Sequence, residues 1–362
     1  MHKHKKLDRR EATATREADI AVVGGGPAGA ICALALARGG VPVDLVHWDG
    51  YAPGGVELVS GHARQILEQY CPDLFRQDSG VEIHETVSLW GTPEPVTFNA
   101  MFNPWGPGVA LERAVLDQAL RDLARAAGAS IAVETKVVNI ERRDGEWQLL
   151  LRKGETESTF LRARFLVIAT GRVAASFVDR PPVAGSSQIA LMMPLPARSE
   201  MYRAPEHTLY IEAADNGWWY ALPTADGGHF AGFCTDRDEV KKRRVTLREF
   251  FIHELCRTHL LGRLLPNAAG NARISGRTAG ARAFDGAAGD GWIAVGDAAY
   301  APDPLSGMGI EVAIESAQRG ADTLLEVMKG RSASAKFAEY EDAIREYAGR
   351  HNKVATYHYG RL

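Results

Sequence analysis

The sequence predicts an α/β fold: a parallel sheet with packed helices, interrupted by an antiparallel sheet and followed by C-terminal helices. Three observations predict it. An apolar strand at residues 19–23 runs into a glycine turn and a helix. Short β-type segments separated by turns fill residues 81–103 and 186–235. Helical spacing of apolar residues recurs at 111–127 and beyond residue 307. Alternating strands and helices around a separate run of strands indicate a parallel-sheet domain carrying an inserted antiparallel layer.

The glycine turn has a spacing that carries a physical meaning. Gly24, Gly26 and Gly29 follow the pattern G-x-G-x-x-G. The first glycine permits a tight turn, the second lets the backbone approach a pyrophosphate, and the third lets the helix pack closely. A second apolar strand at 43–46 follows at the distance of a βαβ unit. A glycine-rich loop of an unrelated α/β protein is the alternative, and this context favours a Rossmann-type dinucleotide domain.

The helix after the turn should bind phosphate at its first residues. Pro27 suits the first helical position because it lacks an N–H, and Ala28 beside it is also expected to bind the cofactor. Free N–H groups and the helix dipole favour negative charge there.

Two later segments add nucleotide-associated features. An apolar strand ends in Ala169, Thr170 and Gly171, whose small side chains let a neighbouring segment pass close to the backbone. Another buried strand, at 292–295, is followed by Gly296 and Asp297. We therefore expect three separated backbone segments to meet around one nucleotide.

In this order, the three elements resemble FAD-dependent oxidoreductases of the group A flavin monooxygenase superfamily, over residues 18–330. The resemblance implies FAD, with Asp297 bound to the ribityl chain and Arg113 near the cofactor. It places the helix start at Gly307, Met308 and Gly309 beside the flavin. Free N–H groups there would face the negative charge of reduced flavin.

The ribose contact is less clear from the sequence. An acidic residue commonly ends the second strand of such folds, but His47 stands there and Asp49 follows. Either His47 or Asp49 makes the contact, or His47 is a surface residue and the backbone holds the ribose. Val138 is also expected among the cofactor-binding residues.

Four further segments resemble one branch of this superfamily, which contains flavin-dependent halogenases, geranylgeranyl reductases and flavoproteins that hydroxylate a protein tryptophan during quinone-cofactor maturation. These segments are Trp90-Gly91, Glu112-Arg113, residues 217–223 and residues 303–309. The halogenase pattern departs at two positions: Tyr220 replaces the second Trp of Trp-x-Trp-x-Ile-Pro, and Ser306 replaces a Glu of tryptophan halogenases. Residues 54–90 also lack the Lys that halogenases need.

The leading hypothesis is an FAD-dependent monooxygenase. NAD(P)H reduces the flavin, a flavin hydroperoxide forms with dioxygen, and an indole or phenol takes one oxygen atom. The substrate is a small molecule or a residue of a peptide or protein. A halogenase, a double-bond reductase like geranylgeranyl reductases and a flavoprotein that stabilises a maturation partner are the alternatives. The choice between NADH, NADPH and a separate flavin reductase stays open.

Catalytic residues are not fixed by the sequence. The candidates are aromatic or titratable residues near the expected flavin, and for each one a packing role is the alternative. They are Trp219, Tyr220, His229 and Tyr300.

The predicted division of the chain is discontinuous. It comprises a basic, disordered tail (1–17), an FAD-binding domain (18–80, 109–180 and 270–330), a substrate domain with an antiparallel sheet (81–108 and 181–269) and a C-terminal helix (331–362).

Composition excludes several classes. The net charge of −3 argues against nucleic acid as a main partner, and no apolar run reaches transmembrane length. The four cysteines are scattered without metal-like spacing, which predicts free thiols, a cytoplasmic location and no metal site.

Overall fold

A computed structural model describes residues 14–48, 50, 54–75, 80–155, 157–173, 178, 180–196, 207–264 and 272–360. Its strands and helices alternate along much of the chain. The strands are β1 (Ala14–Val23), β2 (Val43–Val46), β3 (Val56–Val59), β4 (Gly80–Ile83), β5 (Glu85–Leu89), β6 (Val96–Asn99), β7 (Gly108–Glu112), β8 (Ser130–Ala132), β9 (Thr135–Arg143), β10 (Glu146–Lys153), β11 (Glu157–Ile168), β12 (Pro182–Gly185), β13 (Gln188–Leu195), β14 (Thr208–Ala214), β15 (Gly217–Pro223), β16 (His229–Asp236), β17 (Ser275–Thr278), β18 (Arg282–Phe284), β19 (Ala288–Gly289), β20 (Trp292–Ala294) and β21 (Tyr300–Ala301). The helices are α1 (Pro27–Arg38), α2 (Gly61–Glu68), α3 (Arg113–Ala126), α4 (Arg237–Lys242), α5 (Leu247–Cys256), α6 (Leu261–Leu264), α7 (Gly309–Met328) and α8 (Ala333–Tyr359).

The largest sheet has a parallel centre in the order β20-β11-β1-β2-β8. Residues 20–23 and 43–46 are all buried, as expected for strands covered on both faces. Helix α1 packs between α3 and α7 and joins the same hydrophobic core. An antiparallel ribbon, β9-β10, extends from the first half of β11. This sheet forms the parallel part of the predicted α/β fold.

The second large sheet is predominantly antiparallel and follows the order β17-β13-β16-β15-β14-β5-β6. Its two faces differ because side chains alternate along each strand. One face packs on α5, where Phe250 and Phe251 meet Trp219 and Phe233. The other face carries Trp218 with other apolar residues and forms a second cluster. Together, the two sheets confirm the predicted fold class.

Two small sheets join the large ones. Strands β3, β7 and β4 form the first, and β12, β18 and β21 form the second. Consequently the predicted domain boundaries shift locally. In the interval 81–108, β4 pairs with β7 while β5 and β6 extend the large antiparallel sheet. Strand β17 pairs with β13, which places residues 275–278 in that sheet rather than with the nucleotide-side segments.

Strands β1 and β11 are longer than predicted. The sequence pattern favours separate strands at 157–161 and 165–171, but β11 is continuous because β1 pairs beside it from Ala14–Thr159 to Val23–Ile168. Residues 14–17 therefore belong to the sheet and not to a disordered tail. Arg16 forms an ion pair with the buried Asp44 of the neighbouring strand.

Apolar residues at helical spacing over 246–265 favour one continuous helix, but the structure interrupts it. Helix α5 ends at Cys256, and α6 begins at Leu261. The carboxylate of Glu212, only 1% exposed, accepts hydrogen bonds from the backbone N–H groups of His259, Leu260 and Leu261. A buried carboxylate needs such donors, so it caps a new helix start at the interruption.

The chain ends in two long helices. Helix α7 buries an apolar stripe against α1, and α8 packs on α7 through Phe337, Tyr340 and Ile344. The Tyr340 hydroxyl donates to the Ala294 carbonyl over 2.6 Å. Among the described residues, no helix combines the length and apolarity needed to cross a lipid bilayer.

Candidate active site

The three predicted nucleotide segments meet in space. Gly24 adopts φ +113°, and a Cβ placed on it would lie 2.1 Å from the carbonyl oxygen of Ala169. A Cβ on Gly296 would lie 2.6 Å from Cβ of Ala28. Both contacts are closer than real Cβ atoms allow, so glycine is required where these segments touch. Gly29 is equally confined, because its Cβ would lie 1.8 Å from the carbonyl oxygen of Gly24.

The N-terminus of α1 lies at this junction without a side-chain cap. Gly26 is the N-cap residue and Pro27 follows it, so the first free N–H groups of the helix have no partner from a capping side chain. Nη2 of Arg113 lies 3.6 Å from where a Cβ on Gly26 would be. Burial opposes the charge of Arg113, but its ion pairs with Asp117 and Glu57 raise the guanidinium pKa above its ordinary value. The junction therefore combines the positive end of a helix dipole with a guanidinium group, and both can bind an anion.

Three arginines that sequence reasoning missed hold these loops in place. Arg121, 7% exposed, donates to the Gly25 carbonyl over 3.1 Å. Arg172 Nε donates to Asp297 Oδ2 over 3.0 Å, and its Nη2 reaches the Pro302 carbonyl. Arg180 Nη1 donates to the Ala298 carbonyl over 3.1 Å. One signal was available: Arg121 follows Leu116 and Leu120 on the inward stripe of α3, where a charged residue needs a buried partner.

The region expected to hold the ribose lies beside the same turn. A Cβ on Gly25 would come within 2.7 Å of Cγ of His47, so the imidazole packs directly over the turn. The backbone of His47 is fixed at both groups, since its N–H donates to Ala132 and its carbonyl accepts from Thr135. Val138, on β9, is 41% exposed. Asp49 lies outside the described residues. The ribose roles of His47 and Val138 stay predictions.

The loop before α7 is shaped for close approach to its backbone. The Asp303 side chain accepts from the Leu305 N–H, Gly307 adopts φ +63°, and Met308 is an N-cap residue without a side-chain cap. Apart from chain neighbours and the backbone of α7, no atom of the described residues lies within 4 Å of a Cβ built on Gly309, and only Leu58 approaches one built on Gly307, at 3.7 Å. In the described part of the chain, this second uncapped helix N-terminus therefore has open space beside it.

A cluster of polar side chains lies at the first turns of α7. Glu311 accepts a hydrogen bond from Ser60 over 3.0 Å and pairs with Nδ1 of His62 over 3.0 Å. Ligand atoms of His62, Glu311 and Glu315 lie within 4.8 Å of one another. The absence of a metal site predicted from the sequence stays a prediction. Through Ser60, this group ties the β3–α2 connection to α7.

Three aromatic residues, Trp218, Tyr220 and Phe230, face the loop before α7, and we refer to them as the aromatic wall. Trp218 and Tyr220 lie on the same sheet face, with ring centroids 5.9 Å apart. Phe230, Leu305 and Tyr359 belong to the same apolar cluster. The Tyr220 ring covers Gly232, where a Cβ would come within 2.2 Å of it. Burial raises the Tyr220 pKa well above its usual value, so the phenol keeps its proton at neutral pH.

Two catalytic candidates lie on the opposite face. Trp219 is fully buried and stacks on Phe233, with centroids 4.4 Å apart, in the cluster covered by α5. His229 starts β16 and contacts Tyr210 of that same cluster. Alternation along β15 and β16 thus directs these side chains away from the aromatic wall, and a catalytic role for Trp219 or His229 stays a prediction.

Tyr300, the remaining candidate, is 2% exposed and hydrogen-bonded to Asn352 Oδ1 over 3.0 Å. Burial raises its pKa to about 12. It lies in the core shared by α7 and α8. A catalytic role for Tyr220 or Tyr300 stays a prediction.

Comparison with known proteins identifies the family of this chain. The family model described as FAD dependent oxidoreductase matches residues 61–299. Digeranylgeranylglycerophospholipid reductase 3 of Methanosphaera stadtmanae is 23% identical over 348 residues, covering 92% of this chain and 84% of the relative.

Two solved structures share the fold. The myxobacterial chondrochloren halogenase CndH superposes with a TM-score of 0.82 at 21% identity, over 94% of this chain and 82% of that one. The peptidyl tryptophan dihydroxylase QhpG, essential for tryptophylquinone cofactor biogenesis, superposes with a TM-score of 0.78 at 25% identity, over 95% and 75%. These matches confirm the resemblance seen in the sequence, the flavoprotein fold and the expectation of FAD as cofactor, in a type of enzyme that uses flavin reduced by NAD(P)H.

Proposed function

This chain belongs to the FAD dependent oxidoreductase family, and we propose that it is a monooxygenase that hydroxylates an electron-rich aromatic ring, an indole or a phenol. The ring belongs to a small molecule or to a residue of a peptide or protein. Reducing equivalents come from NAD(P)H, directly or through a separate flavin reductase.

The residues at the junction fit FAD. Gly24 and Gly296 let the three backbone segments touch near residues 169 and 28, an approach that any larger side chain at either position would prevent. In this proposal the α1 N-terminus and Arg113 bind the pyrophosphate, and Asp297, held by Arg172, binds the ribityl hydroxyls. The open backbone at Gly307 and Gly309 receives the flavin ring. Bound FAD supplies the redox chemistry that activates dioxygen.

The observation that carries the proposal is the aromatic wall opposite the start of α7. Trp218, Tyr220 and Phe230 present apolar surface toward Leu305 of the α7 loop. Rings of this kind bind a flat aromatic substrate by stacking or edge contacts and exclude water from the reaction. The protonated Tyr220 hydroxyl can donate a hydrogen bond to a substrate oxygen but cannot serve as a base at neutral pH.

Halogenation is the second candidate, favoured by the likeness to CndH in fold. The chain offers little for it: Ser306 and Tyr220 depart from halogenase motifs, and residues 54–90 contain no Lys. Reduction of a double bond is a further alternative, since the relative from Methanosphaera stadtmanae is named a reductase, and it needs no dioxygen. A flavoprotein that only stabilises a partner would bind without turnover.

One experiment separates these functions. The protein, purified with its flavin, is supplied with NAD(P)H, then with NAD(P)H plus a general flavin reductase, and offered indole, phenol and tryptophan-containing peptides. Mass spectrometry should find one added oxygen atom, isotopically labelled when heavy dioxygen is supplied. Halogen incorporation in the presence of bromide, or turnover of an unsaturated lipid without oxygen, would replace the proposal.

The aromatic wall has its own test. The change Tyr220→Phe should keep flavin binding and lower product formation by about tenfold, the effect of one lost hydrogen bond of about 1.4 kcal/mol. The fully buried Trp219, changed to Phe, is the matched control: it should lower stability and leave the product unchanged.

A further inference from the structure

One short segment concentrates exposed apolar side chains. Val96, Phe98, Met101, Phe102 and Trp105 are 43–82% exposed. They include four of the five Met and aromatic residues among the exposed large apolar side chains of the described part. Single exposed apolar residues are ordinary, whereas a contiguous group of large ones marks an interaction site. We refer to residues 96–105 as the apolar rim.

The apolar rim includes a free sheet edge. Strand β6 pairs with β5 on one side, from Glu85–Asn99 to Ser88–Val96, and it is the last strand of the seven-stranded sheet in the described structure. All four of its residues are exposed. Edge strands are usually protected by lysine, by a covering element or by a bulge. Here no Lys is present and the pairing with β5 is regular, so the outer N–H and C=O groups of β6 can accept another strand.

The charge around the apolar rim has one sign. Along the sequence, the chain carries no Lys or Arg from residue 77 to residue 112, whereas Glu82, Glu85 and Glu94 fall in this stretch, so acidic side chains outnumber basic ones near the rim. Arg64 pairs with Glu82 from outside it. The remaining acidic excess favours a partner that carries basic side chains.

A cavity of about 200 Å³ lies beside the apolar rim. Its lining includes Phe98 and Asn103 of the rim, together with Leu58 and Ser60 at the end of β3. Ser60 donates a hydrogen bond to Glu311 of α7, and Leu58 lies beside Gly307. A cavity of about 150 Å³ admits a benzene ring, so this one has room for an aromatic side chain.

We propose that the apolar rim docks a polypeptide partner, which adds an extended segment of alternating basic and apolar residues to the free edge of β6. Backbone pairing supplies affinity, and the apolar side chains of the partner pack on Phe98 and Phe102. Delivery of one of its side chains into the cavity as substrate rests on the proposed monooxygenase function. Docking itself does not depend on that function.

The test uses a phage-displayed library of short random peptides, selected on the full-length flavoprotein. Counter-selection uses the double variant Phe98→Lys with Phe102→Lys, which adds protective charge at exposed positions and should fold with normal flavin content. Enriched peptides should alternate Lys or Arg with apolar residues. They should bind the double variant weaker by about tenfold or more, and N-methylation of alternate backbone amides should abolish binding.

A matched control is Val354→Lys, which changes an apolar residue 52% exposed on α8 and should leave peptide binding unchanged. Equal binding to the wild type and the double variant, or enrichment of acidic peptides, would overturn the proposal. So would a dimer in sedimentation velocity that the double variant dissociates, because the occupant would then be a second copy of this chain. Oxygen transfer to free indole or phenol is unaffected by these outcomes.

Discussion

Tyr359 Oη donates a hydrogen bond to Asp303 Oδ1 over 3.0 Å, although 56 residues separate the two in the sequence. The same hydroxyl accepts hydrogen bonds from Trp218 Nε1 at 3.1 Å and from Gln188 Nε2 at 3.3 Å. The last turn of α8 is therefore fastened both to the aromatic wall and to the loop that begins α7. Burial raises the pKa of Tyr359, which keeps its proton available for Asp303.

Removing this hydroxyl should loosen the end of α8. In Tyr359→Phe, the Trp218 and Gln188 donors and the Asp303 acceptor lose a partner, at a cost of about 1.5–3 kcal/mol for a hydrogen bond to a carboxylate. We expect a lower melting temperature and faster release of C-terminal residues by carboxypeptidase. The exposed Val354→Ala on the same helix should change neither, and identical digestion rates for both variants would contradict the fastening role.

Glycine at position 24 should be indispensable. In Gly24→Ala, the new methyl would meet the Ala169 carbonyl at 2.1 Å and the backbone would keep φ +113°, so the turn must shift. We expect the free energy of unfolding to fall by more than about 4 kcal/mol, or the protein to lose its flavin during gel filtration.

Gly40→Ala separates the steric effect from backbone strain. Gly40 also has a positive φ, +78°, but apart from its chain neighbours no atom of the described residues lies within 4 Å of a Cβ built on it. The variant Gly40→Ala should lower the free energy of unfolding by about 1–2 kcal/mol and leave flavin binding intact. Equal losses in the two variants would show that the contact with Ala169 does not matter.

Arg172 should be needed for cofactor retention. It joins Asp297 to the carbonyls of Ala279, Gly280 and Pro302 through one guanidinium. Arg172→Lys keeps the charge but not the forked donors, so FAD affinity of the apoprotein should fall by about tenfold or more. Fluorescence titration with FAD measures this. Arg162→Ala, on β11, is the control. It removes only surface ion pairs with Glu17 and Glu146, so it should leave the affinity for FAD unchanged.

Acid should destabilise the protein partly through His229. Burial lowers the pKa of its imidazole below the ordinary value of about 6.5 that applies to the unfolded chain. Below that pH the unfolded state binds the proton first, so stability falls as pH decreases toward the folded pKa, by at most about 1.4 kcal/mol per pH unit.

The change His229→Phe should flatten this dependence. Melting temperatures measured between about pH 7 and pH 5 will show it. His351, whose pKa is also lowered by burial, contributes a separate slope that His351→Gln should remove. An unchanged slope in both variants would contradict the assignment.

Much of the nucleotide side was readable from local pattern. The apolar strand before Gly24 and the small residues at 169–171 predict close backbone contacts, because a positive φ or a touching neighbour requires glycine or another small residue at a given position. The arginines that hold those loops in place could hardly be predicted from the sequence. Arg121, Arg172 and Arg180 bond to backbone carbonyls more than 90 residues away, and carbonyls have no sequence signature.

The substrate side shows the same division. Trp218, Trp219 and Tyr220 are consecutive and all aromatic, so their composition alone does not decide which of them faces a ligand. Sheet register decides it: Trp219 turns into the α5 core, and its neighbours turn toward the α7 loop. The interruption of the helix after Cys256 was hidden for a similar reason, since Glu212 lies on a distant strand.

By itself the sequence determined the fold class, the glycine junction and the flavoprotein resemblance, because each depends on periodicity and on spacing within one segment. Only the tertiary structure decided which side chains share a face of a sheet, which arginines hold the loops at the glycine junction and where an unprotected strand edge lies. Those features depend on contacts between segments far apart in the chain, and their energies arise only when folding brings the segments together.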